Sequence, residues 1–138
     1  MDVLDVPFNH FIGIRRSDAT GLLELEDHRS YLNHLGTVQA AAQLALAEAA
    51  TGDRLIQLFP ELVGLVIPVV RKVEAKFKNP LQGKITARTS TKESEVEEFR
   101  RSISVKGRGF ITVHAEVVDA AGAVGLSSSF DWFVQKRT

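Results

Sequence analysis

The chain has 138 residues, with 17 basic and 17 acidic side chains and a formal net charge of zero. This length suits one domain with a substantial core, so we expect a single domain over residues 1–138. The balanced charge argues against a broad surface for nucleic acid or membrane. Because cysteine is absent, disulfides, thiolate metal sites and a cysteine nucleophile are excluded. No stretch is typical of a signal peptide or a membrane span, and we expect a cytoplasmic protein.

The N-terminal region predicts a short lead-in followed by a hairpin. Residues 1–8 form the lead-in, with a helical turn. Residues 10–15 alternate weakly between apolar and polar side chains and predict a first strand, and residues 23–28 alternate clearly and predict a second. A turn signal at 18–21 lies between them, so the two strands are expected to pair.

The most distinctive stretch runs from Gly36 to Gly52 and predicts one helix. Alanine and leucine dominate it, and both favour helix. Gly52 would end the helix, and Asn33 or Thr37 would cap its start. Apolar side chains point in almost every direction, which predicts that other elements wrap this helix. Glu48 interrupts the run, so we expect its carboxylate to be sheltered in a polar pocket or an interface.

The remainder predicts strands joined by turns. Residues 54–59 would form a short separate helix, because Pro60 then ends it. Residues 63–70 predict a strand that Pro68 places at an edge, a bulge or a strand start. Alternation predicts a half-buried strand over residues 72–77. Residues 91–98 are expected to be a loop or a strand end. Further strands are predicted at 85–89, 99–105, 111–117 and 123–134, with a hairpin turn at 119–122.

About six strands in hairpin succession, with one long helix between the second and third, predict the fold class α+β. Because helices and strands do not alternate, a parallel doubly wound sheet is disfavoured. We expect a curved antiparallel sheet wrapped around the long helix. One sheet covers only one side of a helix, so a second subunit or the short second helix is expected on the other side. The protein is therefore predicted to be a homodimer or a dimer of dimers.

This order of elements resembles the hot-dog fold over residues 11–134. The helix start is similar to the phenylacetate-degradation type of acyl-CoA thioesterase. That family's pattern runs Asn-x-x-Gly-x-x-His-Gly-Gly, with a catalytic Asp or Glu further along the helix. Glu48 stands at the carboxylate position, and glutamine and two alanines replace the histidine and the glycine pair. The pattern positions hold, in order, Asn33, Gly36, Gln39, Ala40 and Ala41.

The resemblance implies hydrolysis of an acyl-CoA or acyl-carrier thioester, with no cofactor and no metal. The amide of Ala40 or Ala41 would stabilise the oxyanion, because helix-start amides are unpaired. Glu48 would act as general base or nucleophile. Asn33 would orient the water or bond Glu48, or it would simply cap the helix. Gln39 is equally well explained as a solvated amide, and Glu48 as an interface contact.

Two other functions stay open. The departures at Gln39, Ala40 and Ala41 are also compatible with a hot-dog protein that binds acyl-CoA without turnover. His34 precedes Glu48 by fourteen residues, a spacing similar to the His–Glu pair of hot-dog acyl dehydratases, although the Pro-Gly step of those enzymes is missing. The other three histidines show no metal-ligand spacing.

Overall fold

Six strands form one antiparallel sheet that curves around a long helix. The computed structural model describes all residues, 1–138. The strands are Arg15–Arg16 (β1), Leu23–Leu25 (β2), Val66–Phe77 (β3), Ile85–Ser90 (β4), Arg108–Asp119 (β5) and Val124–Lys136 (β6). The helices are Pro7–Phe11 (α1), Ala40–Leu58 (α2) and Glu93–Lys106 (α3). The predicted α+β class, with an antiparallel sheet around a long helix, is confirmed.

The strands do not follow one another as simple hairpins. Their order in the sheet is β1-β2-β4-β5-β6-β3, so β3 crosses to the far edge and pairs only with β6. The predicted edge position of Pro68 is confirmed, because proline lacks the N–H that an interior strand would use. The two strands predicted over 63–70 and 72–77 are one strand. A register shift between Val70 and Lys72 interrupts the alternation of side chains between the two faces of this strand, so the sequence pattern indicates two strands.

The long helix α2 begins and ends later than the sequence predicts. Gly36 lies before the helix in a turn, with a φ of +77° that favours glycine. Gly52 lies inside the helix, and residues 54–58 continue it rather than form a separate helix. Contacts beyond Gly52 outweigh the roughly 1 kcal/mol that an interior glycine costs. The Asp53 carboxylate binds the Arg16 guanidinium at 2.8 and 2.9 Å, and Leu55 is buried in the core.

Helix α3 replaces the loop and the strand predicted over 91–98 and 99–105. Its buried side chains, Phe99 and Ile103, are four residues apart and share one helical face. Val105, which the strand prediction placed on the same buried face, is 77% exposed. Acidic side chains occupy the first turn, and Gly107 ends the helix with a φ of +74°. These end signals outweigh the accidental alternation of the apolar residues.

The N-terminal prediction is also corrected. The helical turn expected within residues 1–8 is present, as a short 3₁₀ helix over Val3–Asp5 and the start of α1. Residues 10 and 11 belong to α1 instead of the predicted strand, and only Arg15–Arg16 pairs with β2. The predicted hairpin therefore shrinks to two residue pairs. Proline at the first position favours the helical turn, since its fixed φ suits a helix start.

The core lies between the sheet and the two longer helices. Helix α2 packs on the inner faces of β2, β4, β5 and β6, and α3 packs beside its C-terminal half against β5. The inner face of β3 is bare: Val73 is 41% exposed and Phe77 is 45% exposed. The half-buried strand predicted at 72–77 is therefore uncovered within the chain. No helix combines the length and apolar character needed to cross a membrane.

Candidate active site

Asn33 holds the turn that leads into α2. Its Oδ1 accepts hydrogen bonds from the N–H groups of Leu35 and Thr37 at 2.9 and 3.1 Å. Its Nδ2 donates to Thr37 Oγ1 at 2.9 Å. The prediction that Asn33 or Thr37 caps the helix is wrong, because these bonds stay within the turn and Gln39 is the N-cap. Within one chain, Asn33 fixes the loop and makes no hydrogen bond to Glu48.

The first turn of α2 presents two free amides. Gln39 is extended, with φ −59° and ψ 138°, and its side chain caps nothing. The N–H groups of Ala40 and Ala41 have no backbone acceptor, as is usual for the first amides of a helix. Both alanines are exposed. The helix dipole adds partial positive charge at this end, so the turn is suited to a negatively charged oxygen.

Glu48 lies on α2 at the mouth of a cleft. Its side chain is exposed and takes part in no salt bridge. The expectation that Glu48 lines a polar pocket is therefore corrected, because the carboxylate is exposed within one chain and the cleft is apolar; the alternative that Glu48 lies in an interface stays a prediction. At 1.5 Å per residue, Glu48 is about 10 Å along the helix axis from Ala41. One chain alone therefore does not bring the carboxylate to the free amides.

The cleft has a volume of about 410 Å³ and lies between α2, the N-terminal segment and the first half of β3. Apart from Glu48 and Asn9, its lining carries no polar side chain. The indole of Trp132 forms part of the wall and is fixed by a hydrogen bond from Nε1 to Thr51 Oγ1 at 3.0 Å. Other wall residues include Val3, Val6, Ile56, Val63 and Val69. Such a lining suits an apolar ligand.

An uncovered stripe runs along α2 beside the cleft. Ala41 and Glu48 are exposed, and Leu44 and Ala45 between them are half-buried. The bare inner face of β3 adds Val73, Ala75 and Phe77. The outer edge of β3 has no strand partner. One layer thus covers one side of α2, and the other side is left open.

The remaining candidates lie apart from this arrangement. His34 is exposed in the turn before α2. His114 lies on the opposite face of the sheet, where its Nδ1 is 3.0 Å from Ser129 Oγ. No group of three or more His, Asp or Glu side chains is placed to hold a metal ion.

The sequence did not point to the cleft, because its walls come from segments that are far apart in the chain. Two signals were available. Gly52 interrupts an alanine- and leucine-rich helix at the cleft wall, and Trp132 is the only tryptophan. Neither residue was singled out as a site residue.

A six-stranded antiparallel sheet of this strand order, curved around a central helix, is the hot-dog fold. Solved structures support this. A Pseudomonas aeruginosa protein described as a probable thioesterase has a TM-score of 0.80 and 18% identity, covering 98% of this chain and 91% of that chain. A Haemophilus influenzae thioesterase has a TM-score of 0.71 and 15% identity, covering 97% and 86%. A Bacillus halodurans protein solved with CoA has a TM-score of 0.69 and 18% identity, covering 92% and 74%.

The predicted resemblance to the hot-dog fold is therefore confirmed, and at these identities the likeness shows the fold alone. Among curated proteins no significant match is found. The family model described as Domain of unknown function (DUF4442) matches residues 14–134. The chain belongs to this family.

Proposed function

We propose that the protein hydrolyses the thioester bond of an acyl-CoA at a site shared by two copies of the chain. The observation that carries this proposal is an unpaired carboxylate, Glu48, at the mouth of an apolar cleft, on the same helix as two free first-turn amides. An apolar cleft suits the acyl group, and the carboxylate and amides suit hydrolysis. CoA in the Bacillus halodurans structure supports CoA as the carrier.

The first-turn amides supply the electrostatic part of the reaction. Water adds to the thioester carbonyl carbon, the C–S bond breaks, and the thiolate leaves and takes up a proton. Negative charge develops on the carbonyl oxygen, and the N–H of Ala40 or Ala41 stabilises it. A single such donor is worth about 2.7–4 kcal/mol of barrier. The helix dipole acts in the same direction.

Glu48 supplies the proton transfer or the nucleophile. As general base, its carboxylate takes the proton from the attacking water. As nucleophile, it attacks the carbonyl carbon directly and forms an anhydride that water then opens. Both roles need a carboxylate without a competing cation, and Glu48 makes no ion pair within the chain.

A second copy of the chain completes the site. Within one chain about 10 Å of helix separates Ala41 from Glu48. In a symmetric dimer whose α2 helices pack antiparallel, Glu48 of one copy approaches the first turn of the other. The unpaired edge of β3 and its bare face, with Val73, Ala75 and Phe77, supply the surface for this homodimer. A dimer of dimers would repeat the same interface.

The direct test is thiol release from a panel of acyl-CoA esters by wild type, Glu48→Gln and the matched control Glu97→Gln. Glu97 is exposed on α3 and makes no salt bridge. We expect Glu48→Gln to fold normally and lose at least a hundredfold in kcat, which is at the low end of what general base catalysis contributes. The control should keep wild-type turnover. Unchanged turnover by Glu48→Gln would remove this residue from the mechanism.

A non-catalytic acyl-CoA-binding protein is the second candidate. Two observations favour it: the side chain of Asn33 is occupied by its own turn, and the methyl groups of Ala40 and Ala41 narrow the approach to their amides. Binding of the same acyl-CoA panel without thiol release would establish this function in place of hydrolysis.

A further inference from the structure

The N-terminal segment closes one side of the cleft beside α2. Val3 is buried, and its carbonyl accepts a hydrogen bond from Asn9 Nδ2 at 3.0 Å. Asp2 Oδ1 accepts from the Leu4 N–H at 2.9 Å and so fixes the first turn. This bond holds the Asn9 side chain in the wall and uses one of its two amide N–H groups.

The chemistry of the lining disfavours polar ligand groups over most of the cleft. The two polar side chains are Asn9, which is bonded to the wall through one N–H, and Glu48, which is exposed. A hydroxyl or carboxyl group placed away from these two residues would lose its water without gaining a side-chain partner, and burying such a group is unfavourable. The cleft therefore suits an unfunctionalised alkyl chain.

Gly52 keeps the cleft open. A glycine inside a helix is unfavourable relative to alanine. Close packing does not require it here, since an added Cβ would lie 3.5 Å from the Trp132 ring and 3.6 Å from Val3 Cγ1, both ordinary contacts. The space above this Cβ position belongs to the cleft, which Gly52, Val3 and Trp132 all line. A larger side chain at position 52 would occupy that space.

We propose that this cleft binds the acyl chain of a medium-chain, unfunctionalised alkyl thioester, and that Gly52 and Trp132 set how far the chain reaches. This inference rests on the proposed function for the position of the thioester beside Glu48. The cleft volume of about 410 Å³ is within the range of small-molecule pockets and far exceeds what an acetyl group fills. Each further methylene that enters it should improve kcat/KM by about fourfold until the cleft is full.

The test compares acetyl-, octanoyl- and dodecanoyl-CoA with wild type, Gly52→Ala and Gly52→Leu. Wild type should prefer the two longer chains over acetyl-CoA. Gly52→Leu should lose at least tenfold more kcat/KM for dodecanoyl-CoA than for acetyl-CoA, with Gly52→Ala intermediate. The matched control is Ala120→Leu, which places the same leucine side chain at an exposed turn. Equal losses for all chain lengths, or an unchanged preference in Gly52→Leu, would overturn the inference.

A second readout separates this inference from the proposed hydrolysis. Trp132 is the only tryptophan and lines the cleft, so its emission reports directly on occupancy. Dodecanoyl-CoA should shift the wild-type emission to shorter wavelength and acetyl-CoA should not. Gly52→Leu should raise the dodecanoyl-CoA concentration that produces half of this shift at least tenfold. If thiol release is absent but this response is present, the hydrolase proposal fails and the acyl cleft stands. If dodecanoyl-CoA produces no response, the acyl cleft is refuted whatever the turnover.

Discussion

Gly125 on β6 lets two side chains pack directly against the sheet near the start of α2. A Cβ at this position would lie 2.4 Å from Leu81 Cγ and 2.6 Å from Gln43 Oε1. Both distances are shorter than real Cβ contacts, and Leu81 and Gln43 are both buried. We therefore predict that Gly125→Ala forces Leu81 and Gln43 to move and destabilises the protein.

The magnitude follows from two contributions. Overpacking of a well-packed core typically costs about 1–3 kcal/mol. Displacing Gln43 also breaks its bond from Nε2 to the Val38 carbonyl at 3.3 Å. A buried polar group left unpaired costs a further 1–3 kcal/mol or so, which gives a total of roughly 2–6 kcal/mol. Because Val38 precedes α2 and its N–H bonds the Leu81 carbonyl at 3.0 Å, the helix-start amides should shift and thioester turnover should fall.

The matched substitution is Gly52→Ala, where the nearest atoms are 3.5 Å away and the backbone is helical. Here alanine should raise the free energy of unfolding by about 0.5–1 kcal/mol. Urea unfolding followed by circular dichroism measures both variants. The reasoning is refuted if Gly125→Ala stays within about 0.5 kcal/mol of wild type, the range of a neutral surface change. A Gly52→Ala variant that is less stable than wild type would refute the prediction for position 52.

Two further predictions concern α3 and its neighbour. Phe99→Ala should lose about 3–5 kcal/mol of stability because its buried ring stacks 4.9 Å from Phe59, and a deletion of this size leaves a cavity. Val105→Ala should leave the free energy of unfolding nearly unchanged in the same urea titration. Comparable losses of stability at positions 99 and 105 would instead indicate that residues 99–105 form a strand with both side chains buried. The pKa of the Glu61 carboxyl lies below its usual value, first because its own backbone N–H bonds it and then because Arg100 donates to it. A lowered folded-state pKa gives stability that is present above the unfolded pKa and is lost as pH falls through the folded value. Wild type should therefore be more stable than Glu61→Gln at pH 7, and the difference should begin to decline near the ordinary carboxyl pKa and vanish only below the lowered folded-state pKa. A difference that persists there would contradict this cause.

The most reliable predictions concern structural features that residues close together in the sequence determine. The alanine-rich run gave a helix, and the alternating residues 111–117 gave an inner strand face that is buried in the structure. The predicted turn at 119–122 joins β5 to β6, with Gly122 at a φ of +86°. Periodicity and turn chemistry act locally, so a single sequence carries them.

The signals of the missed helix α3 are local, in its acidic first turn and Gly107, but several other errors arose where contacts between residues far apart in the sequence decide the structure. Nothing near β3 indicates that it pairs with β6 rather than β4, because pairing across a sheet depends on the whole fold. Gly52 was predicted to end the helix. The helix continues past it, and the Asp53 carboxylate binds the guanidinium of Arg16 on β1. Glu48 was expected to be sheltered, but the chain covers only one side of α2. Its surroundings therefore depend on what the open side contacts.

The most direct measurement of the central claim is subunit complementation between two inactive variants. One is Glu48→Gln. The other removes a first-turn amide as Ala40→Pro or Ala41→Pro, whichever abolishes turnover. Proline is tolerated at a helix start, and the extended backbone of Gln39, with ψ 138°, suits a following proline.

In a symmetric dimer that shares its sites, the mixed dimer has one site with an intact carboxylate and an intact amide. Co-expressing the two variants with different tags and isolating the mixed dimer should therefore restore about half of the wild-type turnover per dimer. If neither proline variant reduces turnover, the oxyanion role of the amides is wrong. If the mixed dimer stays as inactive as its parents, Glu48 does not act with the amides of a second copy.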